Sequence, residues 1–151
     1  MKESMNVAKT LAWNLTEKAT KTKWLKYFND TKCQGLHIHC PEGSISKDGP
    51  SAGTAITTAI YSLFNSKPIP NDIAITGEIT LKGDITAIGG LYEKIHGGIQ
   101  AGIKTFIIPK QNFRELKDVI DKYNKKNIDL LSLYQIHSVE RIEEVFSLLK
   151  L

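Results

Sequence analysis

Apolar and polar positions along the chain change period several times, and each change marks an element. Met5, Ala8, Ala12, Leu15 and Ala19 recur at the spacing of one helical face, and Trp24, Leu25 and Phe28 extend it. Residues 2–28 therefore predict one long helix, ended by Asn29-Asp30. "GLHIHC" at 35–40 alternates and predicts a strand with His37 and His39 on the same face. "PEGSISKDGP" is crowded with turn residues and reads as a loop. The clearest helix covers 51–65, where Ala52, Ala55, Ile56, Ala59, Ile60, Leu63 and Phe64 form one stripe. After the loop "KPIPND" come a short apolar strand, "IAIT" at 73–76, and a hairpin, "EITLKGDITAIGG", turning at Lys82-Gly83-Asp84. A short helix over 91–101 closes at Gly102, and "KTFIIP" at 104–109 reads as a buried strand stopped by Pro109. The rest predicts a helix over 112–123, a strand in "IDLLSL", and a last helix in "SVERIEEVFSLL" with Ser138 as its N-cap. Helices interleaved with strands imply an α/β or α+β fold.

Composition narrows the class. A chain of 151 residues favours a single domain, 1–151, with a real core; 41% hydrophobic and 24% charged residues are ordinary for a globular protein. No apolar run approaches the ~20 residues a membrane-spanning helix needs. "MKESMNVAKT" lacks both the apolar stretch of a secretory signal and the arginines of a transit peptide. These features point to an intracellular, cytoplasmic setting, with the mitochondrial matrix as the alternative. The net charge of +4 comes from scattered lysines, apart from "KATKTKWLK" and "KKN", and aromatics do not alternate with them. That pattern argues against a nucleic-acid surface. Cys33 and Cys40 form no CxxC pair and the histidines lack zinc-finger spacing, so both cysteines read as small packing residues in a reduced compartment.

One short run holds candidate chemistry. "KDGPSAG" at 47–53 stands immediately before the best helix. Its plain reading is a capped helix start, with Asp48 near the N-cap and Pro50 in the first turn. The same place suits a nucleophile, because a helix N-terminus offers unpaired N–H groups and the positive end of the dipole to an oxyanion beside Ser51. Pro50 cannot donate, so the donors would be the N–H of Ser51 and that of Asp48 or Gly49. A serine hydroxyl needs a base. His37 or His39 in a Ser-His-Asp arrangement is one option, although no G-x-S-x-G elbow is present. A lysine is another, provided that apolar walls strip water from its amine and disfavour the ammonium. Lys94, between Leu91 and Ile95 in "GGLYEKIHGGIQAG", is the candidate, set against its plain reading as an exposed helix lysine.

"PEGSISKDGPSAG", "TGEITLKGDITAIGGLYEKI" and "GIKTFIIPKQN" resemble the proteolytic domain of Lon, the ATP-dependent serine protease, and "IHSVERIEEVFSLL" carries the resemblance to the chain's end. The resemblance implies the Lon proteolytic fold, a β-α sandwich similar to a ribosomal protein domain, here without its leading strands. It implies a Ser-Lys dyad of Ser51 and Lys94, with Tyr92 where Lon usually carries another lysine. Thr76 matches a threonine beside the dyad whose hydroxyl would accept from Lys94, and Asp48 and Gly49 match the residues before the serine. His37 and His39 match a pattern lining the substrate groove without a metal. Glu78 stays outside this set, since a carboxylate near Lys94 would hold the amine charged.

The resemblance further implies no cofactor in this domain. ATP and Mg belong to a separate AAA+ ATPase module, whose GxxxxGK[ST] loop is not found here. The partners it implies are unfolded, damaged or regulatory proteins, that ATPase module, and sibling domains in a ring of six, with little or no activity in isolation. "SISKDG" in place of "ATPKDG", Ala87 in place of proline and the glycine-rich "HGGIQAG" depart from the pattern without removing a dyad member. Two rivals remain: a non-catalytic Lon-like assembly module, opposed by an intact Ser51 and Lys94, and a nucleic-acid-binding domain, opposed by the lack of a basic, aromatic surface.

Overall fold

The computed structural model describes residues 1–32, 35–40 and 49–151. Helices α1 (Lys2–Leu15), α2 (Lys18–Thr31) and α3 (Gly53–Asn65) come first. Strand β1 (Ile73–Ile75) leads into a two-stranded ribbon, β2 (Glu78–Ile79) and β3 (Ile85–Thr86), and then helix α4 (Leu91–Gln100). After these come β4 (Thr105–Pro109), a single 3-10 turn at Lys110–Asn112, α5 (Phe113–Asn124), α6 (Leu130–Leu133), β5 (Gln135–Val139) and α7 (Ile142–Leu149). The sheet runs β1-β4-β5, parallel throughout, with Ala74 opposite Phe106 and Phe106 opposite Ile136.

The apolar run of β4 is explained by its central place, covered on both faces. Phe106 and Ile108 enter a core with Leu91 and Ile95 of α4, Leu116 and Val119 of α5, and Leu130. Ile107, one residue out of phase, enters the opposite core with Leu11 of α1 and Ile142, Val145 and Phe146 of α7. A third cluster joins α1 to α3. Ala8 and Ala12 lie fully buried on Ile60 and Phe64, and small side chains there let the two helices approach closely. The ribbon turns as expected: Gly83, at φ +86, donates its N–H to the Thr80 carbonyl. No described helix is long and apolar enough to cross a membrane.

Several expectations change. Residues 2–28 are not one helix, because Thr16 (ψ 138) and Glu17 (ψ 149) are extended between α1 and α2. The Thr16 hydroxyl, buried, donates to the Ala12 carbonyl at 2.7 Å, and this local bond competes with helix continuation. The second helix then runs past Asn29-Asp30 to end at Lys32, which takes the left-handed conformation. Residues 35–40 form no strand. Their alternation survives as burial, with Leu36 and Ile38 packed toward the α1–α3 cluster and His37 and His39 exposed.

Segment 128–133 holds a short helix instead of a strand. The Asp129 carboxylate accepts from Ser132 N–H at 3.2 Å, and Leu130 is buried while Leu131 and Leu133 face outward. The strand follows at β5 and takes Ser138 with it. The last helix therefore starts later, and Glu144 Oε1 does the capping, accepting from the N–H of Glu140 (3.0 Å) and of Arg141 (2.9 Å).

Helix α3 also turns differently from its pattern. Ala59 and Leu63 are exposed, while Thr54, Thr57, Thr58 and Ser62 are buried. Each buried hydroxyl donates to a backbone carbonyl: Thr54 to Gly77, Thr57 to Gly53, Thr58 to Thr54 and Ser62 to Lys67. Satisfied in this way, they cost little to bury.

Candidate active site

Ser51 lies in the turn that leads into α3, half-buried, with Ala52 as the N-cap. The helix thus begins two residues later than expected, and Pro50 lies before it, where its carbonyl accepts from Gly53 N–H at 3.0 Å. The turn is tied to the end of β1. Gly77 N–H donates to the Ser51 carbonyl at 2.9 Å, and Thr54 N–H and Oγ1 both donate to the Gly77 carbonyl at 3.0 Å. Two glycines let these segments touch. A Cβ on Gly53 would lie 2.7 Å from Ile79 Cγ2, and one on Gly77 would lie 2.6 Å from Thr54 Oγ1. Thr76 continues the ladder from β1 by donating its N–H to the Ile107 carbonyl. Its hydroxyl donates to the Ser51 carbonyl at 3.2 Å, so it holds the backbone of the serine and makes no hydrogen bond to the lysine amine.

Lys94 approaches from the other side. It stands one turn into α4, an exposed residue whose Nζ donates to Ser51 Oγ at 3.4 Å. Helix α4 is held from behind. Tyr92 stacks on His96 at 5.7 Å between ring centroids, and His96 Nδ1 lies 3.0 Å from the Tyr123 hydroxyl on α5. Burial, with Tyr92 and Tyr134 nearby, pushes the Tyr123 phenol above its ordinary value, so it stays protonated at neutral pH. Tyr92 itself faces Lys122, whose Nζ lies 4.5 Å from the ring centroid.

The start of α4 is fixed by the segment after β4. Asn112, buried, bonds both backbone groups of Ile88, Gln111 Oε1 accepts from Ala87 N–H, and Glu115 Oε1 accepts from Leu91 N–H at 2.8 Å. Sequence reasoning passed over these side chains. The signal that identifies them is the asparagine followed three residues later by a glutamate at a helix start, an N-terminal capping pattern.

Ser51 and Lys94 open onto a cavity of about 230 Å³. Ala74, Leu91, Ile95, Phe106 and Ile108 supply apolar walls and Thr76 a hydroxyl. The arrangement places a hydroxyl and an amine together beside a helix N-terminus and an apolar recess, which are the parts acyl transfer requires. Gly49, at φ +86, is exposed beside the serine. Asp48 lies outside the described residues, as does Cys33. His37 and His39 line a separate groove with Leu36, Ile38 and the Ala55–Ala59 side of α3, while His137 sits in β5.

Comparison with known proteins shows the family. Residues 1–150 match the Lon protease (S16) C-terminal proteolytic domain family. The chain is 43% identical to Lon protease 1 of Thermus thermophilus over 99% of its own length and 17% of the relative's. It is 42% identical to the Lon protease of Metamycoplasma arthritidis over 97% of this chain and 16% of that one. It is 45% identical to the Lon protease of Escherichia coli K12 over 75% of this chain and 14% of that one. The chain thus spans less than a fifth of the length of these curated relatives. With a match across nearly every residue, and with a serine and a lysine meeting between α3 and α4, the chain belongs to the Lon C-terminal proteolytic domain family.

Proposed function

We propose that this chain is a serine endopeptidase domain acting through a Ser51–Lys94 dyad. The observation that carries the reading is the Nζ to Oγ contact of 3.4 Å, in a chain whose fold family is proteolytic. Lys94 in its neutral form takes the Ser51 proton as Oγ attacks a peptide carbonyl. The ammonium then gives a proton to the leaving amine, and water, with Lys94 again as base, releases the acyl group and restores the serine. The apolar walls suit an apolar substrate side chain on the acyl side of the cleaved bond. The Gly53 and Thr54 N–H groups are already bound; the donors assigned to the oxyanion are the N–H of Ser51 with that of Gly49 or Asp48. Thr76 acts by seating the serine, and His37 and His39 line the path of the substrate chain.

In its working context, we place the domain in an intracellular ATP-dependent protease. There an AAA+ ATPase module uses ATP and Mg to deliver unfolded, damaged or regulatory proteins to a ring of six such domains. Ser51→Ala and Lys94→Ala are each expected to abolish peptide cleavage in the assembled protein. A fluorophosphonate probe is expected to label Ser51 in the parent and to fail in both variants. Full cleavage by either variant sinks the dyad. No labelling and no cleavage in the assembled parent would favour the non-catalytic assembly module.

A further inference from the structure

Asn112 and Glu115 stand where a helix ordinarily caps itself, yet they cap something else. Asn112 is the N-cap of α5, a position at which asparagine usually accepts from its own helix, and it makes no such bond. Glu115, three residues on, is where a capping box would send its carboxylate back to the N-cap. Both side chains are turned onto the loop that precedes α4. Asn112 Oδ1 accepts from Ile88 N–H at 3.0 Å, and its Nδ2 donates to the Ile88 carbonyl at 2.7 Å and to Glu115 Oε2 at 2.9 Å. Glu115 Oε1 accepts from Leu91 N–H at 2.8 Å. With Gln111 on Ala87 N–H, side chains here pair the loop much as a neighbouring strand would.

Leu91 opens α4, and its N–H is among the first of that helix, which have no partner inside it. A carboxylate on that N–H also complements the positive end of the helix dipole. Lys94 follows three residues later, with its own N–H on the Gly90 carbonyl at 3.1 Å. The place where α4 begins therefore sets where the Lys94 amine can reach. At 3.4 Å from Ser51 Oγ, the amine has little slack before hydrogen bonding fails.

We propose that Asn112 and Glu115 are positioning residues for the base: they register the first turn of α4 so that Lys94 meets Ser51. The inference rests on the dyad reading above. Neither residue touches the reacting atoms; their removal misplaces the amine, together with the Leu91 and Ile95 side chains that line the cavity on the same helix.

The test uses the assembled protein with Glu115→Ala, Glu115→Gln and Asn112→Ala, and a peptide substrate. Active-site titration corrects each rate for the folded fraction. Misplacement of a catalytic group by about 1 Å costs about 100-fold. The expected result is a kcat lowered about 10- to 100-fold in Glu115→Ala and Asn112→Ala, a fall larger than any rise in KM from the cavity wall that moves with the helix. Phosphonate capture of Ser51 is expected to slow in parallel. Glu115→Gln keeps an acceptor for Leu91 N–H but sets an NH₂ against Asn112 Nδ2, so its kcat is expected between those of the parent and the alanine variant. Parent-like kcat in folded Glu115→Ala, with Ser51→Ala inactive, overturns the positioning role alone. If Glu115→Ala fails to fold, a parent-like kcat in folded Asn112→Ala, which loses both bonds to Ile88, overturns it equally. Activity surviving in Ser51→Ala or Lys94→Ala removes the dyad reading instead.

Discussion

Gly77→Ala tests whether backbone contact seats the serine. A Cβ at position 77 would lie 2.6 Å from Thr54 Oγ1 and 2.7 Å from Ile85 Cγ2. Both neighbours are fully buried, so neither has open space to turn into. Forcing an extra methyl into such a place costs about 1–3 kcal/mol. Displacing Thr54 Oγ1 also breaks its bond to the Gly77 carbonyl, which removes roughly another 1 kcal/mol. The expected loss is about 2–4 kcal/mol, and at ~2–4 °C per kcal/mol for a chain of this size Tm falls by roughly 5–15 °C. The same shift moves Gly77 N–H away from the Ser51 carbonyl, so phosphonate capture of Ser51 slows as well. Gly89→Ala is the matched control: no heavy atom lies within 4 Å of its Cβ position, and stability is expected within about 0.5 kcal/mol of the parent. Calorimetric melting and timed labelling read both effects. A Gly77→Ala chain that melts with the parent and labels at the parent's rate refutes the close-contact argument.

Three further outcomes follow from other observations. Gly97 is exposed within α4 with open space at its Cβ position, so Gly97→Ala should raise the urea midpoint, worth about 0.5–1 kcal/mol. Gly98→Ala should lower it, because a Cβ there would lie 2.5 Å from Phe106 Cε1. Hydrogen bonds from Arg141 and Thr80 hold the Asp84 carboxyl below its ordinary value. A carboxyl depressed in the folded state contributes its stability above its unfolded value, near ~4, and loses it as pH falls through the lower folded value. Asp84→Asn should therefore flatten the acid limb of the stability curve below about pH 4, read from urea midpoints between about pH 2 and 5.

Residue type alone left Ser51 open between a helix start and a nucleophile and Lys94 between an exposed helix lysine and a base; the resemblance to the Lon proteolytic domain singled them out. The turn glycine at position 83 was legible from its type. What stayed hidden depended on tertiary context. No glycine or proline marks the break at Thr16; it is made by a hydroxyl bonding back one turn. "IDLLSL" has the apolar density of a strand, and only the cap from Asp129 onto Ser132 shows that it coils. The buried side of α3 was misread because hydrophobicity alone ranks its alanines above its threonines. Carbonyls at Gly53, Thr54 and Gly77 satisfy the buried threonines and reverse that order. Asn112 and Glu115 were missed for a related reason: a capping pattern in sequence does not say which helix it will cap.

The threading of the parallel sheet also imposes an order in time. Ser51 precedes β1, Lys94 lies in the crossover between β1 and β4, and the side chains that register α4 come only after β4. A ribosome delivers Ser51 first, Lys94 later, and Asn112 and Glu115 last. A stalled or truncated chain that stops before Asn112 carries Ser51 and Lys94 without the side chains that bond the backbone of Ile88 and Leu91.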